Sequence, residues 1–77
     1  MRGTFPLPDG GEVRVESTQR YVVVVWATTG DTTGHWKVAT RRTQRNTGLA
    51  AWRERMRASE GGVAPHLLDT QTGEILR

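Results

Sequence analysis

The chain has 77 residues, which suits one small domain, and it contains no cysteine, which excludes disulfides and thiolate metal sites and favours a cytoplasmic location. Hydrophobic residues make up 35% of the composition, enough for a small core, but they form no run long enough for a signal peptide or a membrane span. The formal net charge is +3, and residues 37–57 hold seven basic residues against one acidic residue.

Two short strands are predicted near the N-terminus. Residues 4–7 alternate between polar and apolar side chains, and Pro6 suits an edge strand because proline donates no ladder hydrogen bond. The next four residues, PDGG at 8–11, have the chemistry of a tight turn. Residues 12–16 then alternate strictly, which predicts a strand with one buried face.

The longest strand signal lies in residues 20–28, which are β-branched or aromatic almost throughout. Because this run is apolar on both parities, it predicts a central strand with both faces at least partly covered. The sequence DTTG at residues 31–34 predicts a hairpin turn into a second, alternating strand over residues 35–42.

Turn geometry fixes the register, and the register divides the side chains between two faces. The hairpin turn sets Trp26 opposite Thr40, and a short turn after residue 16 sets Val15 opposite Val22. One face then collects the apolar residues, which are Phe5, Leu7, Val13, Val15, Val22, Val24, Trp26, Trp36 and Val38. The other face mixes cations with an apolar strip, and it holds Arg14, Glu16, Tyr21, Val23, Val25, Ala27, His35, Lys37, Ala39 and Arg41.

A helix is predicted over about residues 44–59, where Leu49, Trp52 and Met56 form one apolar stripe. We expect this stripe to cover the apolar sheet face and all three tryptophans to lie in the core. The arginines flank the stripe on two sides, with Arg53 and Arg57 on one side and Arg55 on the other. The candidate N-caps are Asn46, Thr47 and Thr43, and Gly61-Gly62 end the helix.

The C-terminal residues predict a second hairpin, because apolar pairs at residues 67–68 and 75–76 flank the turn sequence TQTG at residues 70–73. The predicted fold class is therefore α+β, with an antiparallel β-meander of three to four strands, one α-helix packed on one face and a C-terminal β-hairpin. We expect residues 1–77 to form a single domain.

No catalytic or metal-binding site is predicted. His35 and His66 are the histidines of the chain, and neither has a second ligand at metal-binding spacing. Ser17 and Ser59 have no base at a recognisable spacing, and Asp9 lies in a turn, where aspartate is favoured for structural reasons. We therefore expect a non-enzymatic protein without a cofactor.

The mixed sheet face is the candidate binding surface. A narrow β-ribbon fits the major groove of DNA, so cations on this face would contact phosphates or guanine edges, with duplex DNA favoured as the partner. Cations at the rim would reach the DNA backbone. The candidate nucleic-acid-binding residues are Arg14, His35, Lys37, Arg41, Arg42 and Arg45. An arginine-rich face that is merely solvated would show the same pattern, and an acidic protein would suit it equally well.

An alternative use of the same face starts from its apolar strip. Tyr21, Val23 and Val25 would form the interface of a homodimer or of a protein-interaction module. The C-terminal hairpin could also cover this strip, which would leave it without a binding role.

The layout of two segments resembles a known family of DNA-binding domains. The segments RYVVVVWATTGDTTGHWKVATRRT and LAAWRERM together resemble the arm-type domain at the N-terminus of phage integrases, a three-stranded sheet backed by one helix. Ala51-Trp52 is similar to an alanine–tryptophan pair on the helix of that family. The resemblance covers about half of the chain. It implies a phage-like or mobile-element accessory protein that reads DNA with the sheet face away from the helix, through His35, Lys37 and Arg41 with Arg14.

Overall fold

The computed structural model describes residues 2–8, 10–16, 18–28, 34–59 and 62–77. Within these residues the elements are β1 (Arg2–Pro6), β2 (Glu12–Glu16), β3 (Tyr21–Ala27), β4 (His35–Arg42), α1 (Arg45–Ala58), β5 (His66–Asp69) and β6 (Glu74–Ile75). Neighbouring strands are antiparallel, in a two-stranded sheet β1-β2 and a four-stranded sheet β4-β3-β5-β6. This confirms the predicted α+β class and the C-terminal hairpin. The conformations predicted at residues 31–33 and at Gly61 lie outside the described residues.

Strand β3 is buried on both faces, as its sequence predicts. It lies between β4 and β5, and Leu67 and Leu68 of β5 are likewise apolar on both parities and fully buried. The two strands that need cover on both sides thus occupy the two central positions of the sheet. Strand β2 alternates strictly, with Val13 and Val15 buried and its other residues exposed, so it needs cover on one side alone.

The β1-β2 hairpin forms a separate layer on one face of the four-stranded sheet. The core between them contains Leu7, Val13, Val15, Val22, Val24, Trp36 and Leu68, with Phe5, Val38 and Ile75 packed against it. Most of the predicted apolar face is therefore confirmed, although Trp26 is 36% exposed. The predicted pairing of β2 with β3 is wrong, because Val22 pairs with Leu68 of β5 and not with Val15.

Helix α1 covers the sheet face that we expected to be free. A second core contains Tyr21, Val23, Ala51 and Leu67, with Leu49, Trp52 and Leu76 packed against it. Tyr21 is 8% exposed and Val23 is 1% exposed, so the helix side of the sheet is closed at these positions. The assignment of Tyr21, Val23 and Val25 as an exposed interface strip is therefore wrong for the first two, and Val25 is half-buried.

Small residues bring α1 close to the sheet. Its buried residues are Gly48 and Ala51, and a Cβ added to Gly48 would lie 3.1 Å from Cβ of Tyr21 and 3.3 Å from Cδ1 of Leu67. The N-cap is Gln44, which was not among the predicted candidates and whose side chain makes no capping hydrogen bond. Because the helix rests on its small residues, Met56 of the predicted stripe is left 37% exposed.

An ion pair joins the connection before β3 to the end of β5. Nε and Nη2 of Arg20 donate to Oδ1 and Oδ2 of the buried Asp69 at 2.9 and 2.8 Å, and the backbone N–H of Gln71 donates to Oδ1 at 3.0 Å. The Thr70 hydroxyl and N–H both donate to the Arg20 carbonyl oxygen, at 2.7 and 2.8 Å. The hydrogen bonds from Arg20 hold the pKa of Asp69 below its ordinary value, against the opposing effect of burial.

A leucine at position 48 should force the helix away from the sheet. We expect Gly48→Leu to lower the free energy of unfolding by about 1–3 kcal/mol, because the backbone of the central strand cannot retreat from the new side chain. The matched control is Ala50→Leu on the exposed side of the same helix, which should change stability by less than about 0.5 kcal/mol. Urea denaturation of both variants provides the measurement, and equal losses would contradict the close approach.

The Asp69 carboxylate should make folding stability dependent on pH in the acid range. Since its pKa is lowered in the folded state, its contribution is complete above the unfolded pKa of about 3.9 and is lost as the pH falls through the folded pKa. We therefore expect wild type to exceed Asp69→Asn in stability at pH 7 and the difference to shrink below about pH 4. Urea denaturation across this range tests it, with Glu74→Gln, an exposed carboxylate of β6, as the control. A difference that stays constant down to pH 2 would refute the assignment.

Candidate nucleic-acid interface

Strand β4 is an outer edge of the four-stranded sheet and carries His35, Lys37, Arg41 and Arg42. Its pairing with β3 places Trp26 opposite Trp36, and the predicted pairing of Trp26 with Thr40 is wrong. The rings of Trp26 and Trp36 meet edge to face, with centroids 5.4 Å apart. The two tryptophans therefore share a face of the sheet, as the parity of the sequence predicted.

A β-bulge interrupts the pairing in the middle of β4. Val24 pairs with Val38, but the preceding residue Val23 pairs with Thr40, so Ala39 is the extra residue. A bulge of this kind exchanges the two faces for every residue that follows it along the bulged strand.

The exchange separates two cations that the sequence placed on one face. Lys37 lies opposite Val25 and belongs to the helix side of the sheet, whereas Arg41 lies opposite Val22 and belongs to the hairpin side. The prediction that both side chains share one sheet face is therefore wrong. Without the bulge, their spacing of four residues would have kept them together.

Lys37 and Arg41 nevertheless line one shallow groove along the outer edge of β4, because side chains from either face of the sheet can reach that edge. We call it the β4 groove, and its lining residues are Arg14, Glu16, Trp36, Lys37, Val38 and Arg41. The three cations are exposed, while Trp36 is 7% exposed and belongs to the core. The fold thus brings together three of the six predicted contact residues, from two strands that do not pair with each other.

Among the described residues that line the groove, Glu16 is acidic. Nη2 of Arg14 lies 3.1 Å from Oε1 of Glu16, two residues along β2, and both side chains are largely exposed. An ion pair between exposed side chains is worth little in water and exchanges readily with an incoming anion. Glu16 therefore lowers the positive charge of the β4 groove without closing it.

The remaining predicted residues lie outside the β4 groove. Arg42 lines a separate cleft between β4 and α1 with Glu54 and Arg55, and its Nη1 donates to the Arg41 carbonyl oxygen at 2.7 Å. His35 and Arg45 are exposed at the starts of β4 and α1 and line neither cavity. Arg55 was not predicted as a site residue. The available signal was helical spacing, which places Arg55 on the opposite side of the apolar stripe from Arg53 and Arg57.

The sheet face away from the helix is covered at its centre. Val22, Val24 and Leu68 lie under the β1-β2 hairpin and contribute to the first core. A ribbon inserted into a DNA groove through this face would have to displace the hairpin. Contacts to a polyanion are therefore expected at the edge of the sheet, along the β4 groove.

Other kinds of site have no support in the described residues. Residues 2–8, 10–16, 18–28, 34–59 and 62–77 contain no cluster of three His, Cys, Asp or Glu side chains that could hold a metal ion. The described part of the chain has no helix with the length and apolar character that a membrane span requires.

Comparison with protein-family models, with curated proteins and with solved structures finds no match to this chain. The resemblance to integrase arm domains therefore stays a hypothesis that rests on the order of the predicted strands and helix.

Proposed function

We propose that the protein is a small, non-enzymatic nucleic-acid-binding accessory protein that holds a phosphate backbone along the β4 groove. The observation that carries this proposal is the convergence of Arg14, Lys37 and Arg41 on one exposed groove. Guanidinium and ammonium groups at neighbouring positions neutralise successive phosphates and release their counterions, which supplies most of the affinity of such complexes.

The chemistry of the groove favours duplex DNA over a single strand. Binding of single strands depends on aromatic side chains that stack on unpaired bases. The aromatic residue of the groove, Trp36, is buried, and its ring is engaged by Trp26 and by His66, whose centroid lies 5.2 Å away. Duplex DNA needs no such platform, because it offers its phosphates on the outside.

Two further cations extend the proposed contact beyond the groove. Arg42 and Arg45 are exposed where β4 passes into α1, and they provide positive charge for a duplex that continues past Arg41. A DNA partner is also consistent with a cytoplasmic protein of phage or mobile-element type. Contacts of this kind position a protein on DNA and carry little sequence information.

Charge reversal in the β4 groove provides the test. We expect wild type to bind duplex DNA weakly, with a dissociation constant roughly micromolar or higher. The slope of log K against log salt should lie between about −3, for the three cations of the groove, and about −4.5, with Arg42 and Arg45 added. Lys37→Glu with Arg41→Glu should reduce the slope by about 2 in magnitude and weaken binding at every salt concentration. Fluorescence anisotropy of a labelled duplex between low and physiological salt gives both quantities.

The matched control is Arg53→Glu with Arg57→Glu, which changes the net charge by the same amount on the helix. This pair should leave the salt slope close to that of wild type, because neither residue lines the β4 groove. If both double variants lose affinity equally, binding follows net charge and the groove has no special role. Absence of any binding to duplex DNA at low salt would sink the proposal.

A further inference from the structure

A second groove lies beside the C-terminal half of α1, between the helix and residues 62–64. We call it the helix groove, and its lining includes Trp52, Arg53, Met56, Arg57 and Ala64. Its volume of about 570 Å³ falls within the range of cavities that receive apolar groups of a ligand. No part of this groove coincides with the β4 groove.

The apolar part of the helix groove combines a fixed side chain with an adaptable one. The indole of Trp52 is held in place because its Nε1 donates to the Pro65 carbonyl oxygen at 3.0 Å. Met56, which is exposed, has an unbranched and polarisable side chain that can adjust to an incoming apolar group. Val63, beside Ala64 in the chain, is also exposed. Exposed apolar surface beside a groove of this size is a candidate interaction site.

The charged part of the helix groove consists of Arg53 and Arg57. They are one helical turn apart and therefore on the same side of α1, and both are exposed. In the described part of the chain, neither forms an ion pair. Like charges at this spacing repel each other and destabilise the helix, so a carboxylate placed between them would relieve an unfavourable interaction.

We propose that the helix groove docks an acidic amphipathic helix of a partner protein. Apolar side chains of that helix would enter between Trp52 and Met56, and carboxylates flanking them would pair with Arg53 and Arg57. The groove offers apolar surface and positive charge side by side, and an amphipathic helix with acidic flanks presents the complementary pattern.

Charge and shape favour this occupant over two others. A second copy of the chain meeting the groove about a two-fold axis would bring Arg53 and Arg57 of both copies close together, which is repulsive. A nucleic acid would satisfy the arginines and leave the apolar surface between Trp52 and Met56 unfilled. An acidic amphipathic helix satisfies both parts of the groove.

The probe for the test is a synthetic amphipathic peptide with leucines on one helical face and glutamates on both flanks. Titration into the intact 77-residue chain should shift the NMR signals of the Met56 methyl group and the Trp52 indole N–H. We expect Arg53→Glu with Arg57→Glu to weaken binding by about tenfold or more, and a peptide with lysine in place of glutamate to recover affinity for that variant. Lys37→Glu with Arg41→Glu, which carries the same change in net charge, should bind the acidic peptide like wild type.

The Met56→Lys variant separates docking from general attraction between opposite charges. It replaces an exposed side chain, so the fold should tolerate it, and it adds a cation beside the two arginines. A merely electrostatic association with the acidic peptide would become tighter, whereas docking through the apolar surface becomes weaker by several-fold.

Four results would overturn the inference. They are tighter binding by Met56→Lys, equal losses in both double variants, shifts of the Met56 and Trp52 signals with protein concentration alone, and shifts of these signals by duplex DNA but not by the acidic peptide. The third result would assign the groove to self-association, and the fourth would assign it to nucleic acid.

Discussion

The need to cover a strand that is apolar on both faces governs this structure. Strand β3 presents Val22 and Val24 to one side and Tyr21 and Val23 to the other, and all four are buried. Full burial of each large apolar side chain is worth about 1.5–3 kcal/mol, while a small domain is stable by only about 5–15 kcal/mol in total. Exposure of either face of the sheet would therefore consume most of that margin. The chain accordingly places a layer on each side, the β1-β2 hairpin on one and α1 on the other.

This three-layer arrangement decides where a partner can bind. Both broad faces of the central sheet are interior. The exposed cations of the two grooves therefore lie beside the edge of β4 and on the exposed side of α1. The cations that line the β4 groove and the helix groove thereby belong to two surfaces of different chemistry. In the β4 groove the aromatic residue, Trp36, belongs to the core, and in the helix groove Met56 is open to solvent. The first surface suits a phosphate backbone, and the second suits a protein with acidic and apolar groups.

Two local features adjust this arrangement in ways that affect the proposed sites. The bulge at Ala39 turns Arg41 toward the hairpin side of the sheet, where it joins Arg14 at the β4 groove. Gly48 allows close contact between α1 and Tyr21. Because α1 faces the sheet with its small residues, Met56 lies at the margin of the interface and is exposed. The bulge at Ala39 thus decides which face of the sheet Arg41, one of the three cations of the β4 groove, belongs to.

The sequence by itself determined the α+β class, the positions of the helix and the C-terminal hairpin along the chain, most of the residues of the hairpin-side core and the apolar character of β3 on both of its sides. These properties follow from local periodicity, because side chains that recur every second residue along a strand lie on the same face of the sheet. The separation of Arg55 from Arg53 and Arg57 was likewise readable from helical spacing. The same patterns predicted exposed cations at Arg14, Lys37 and Arg41, and all three are exposed.

Tertiary structure alone decided what covers each face and which strands pair. An apolar face requires a cover, but its pattern does not state whether a helix or a hairpin provides it. Strands β2 and β5 both have valine or leucine residues that could lie beside those of β3. Strand β5 pairs with β3 because β5 is apolar on both of its faces, as a central strand must be. The polar–apolar alternation of β4 does not reveal the bulge at Ala39. The side of the sheet that Arg41 occupies could therefore not be predicted from the local sequence. Pairing and layering depend on contacts between residues far apart in the chain, and periodicity reports only on neighbours.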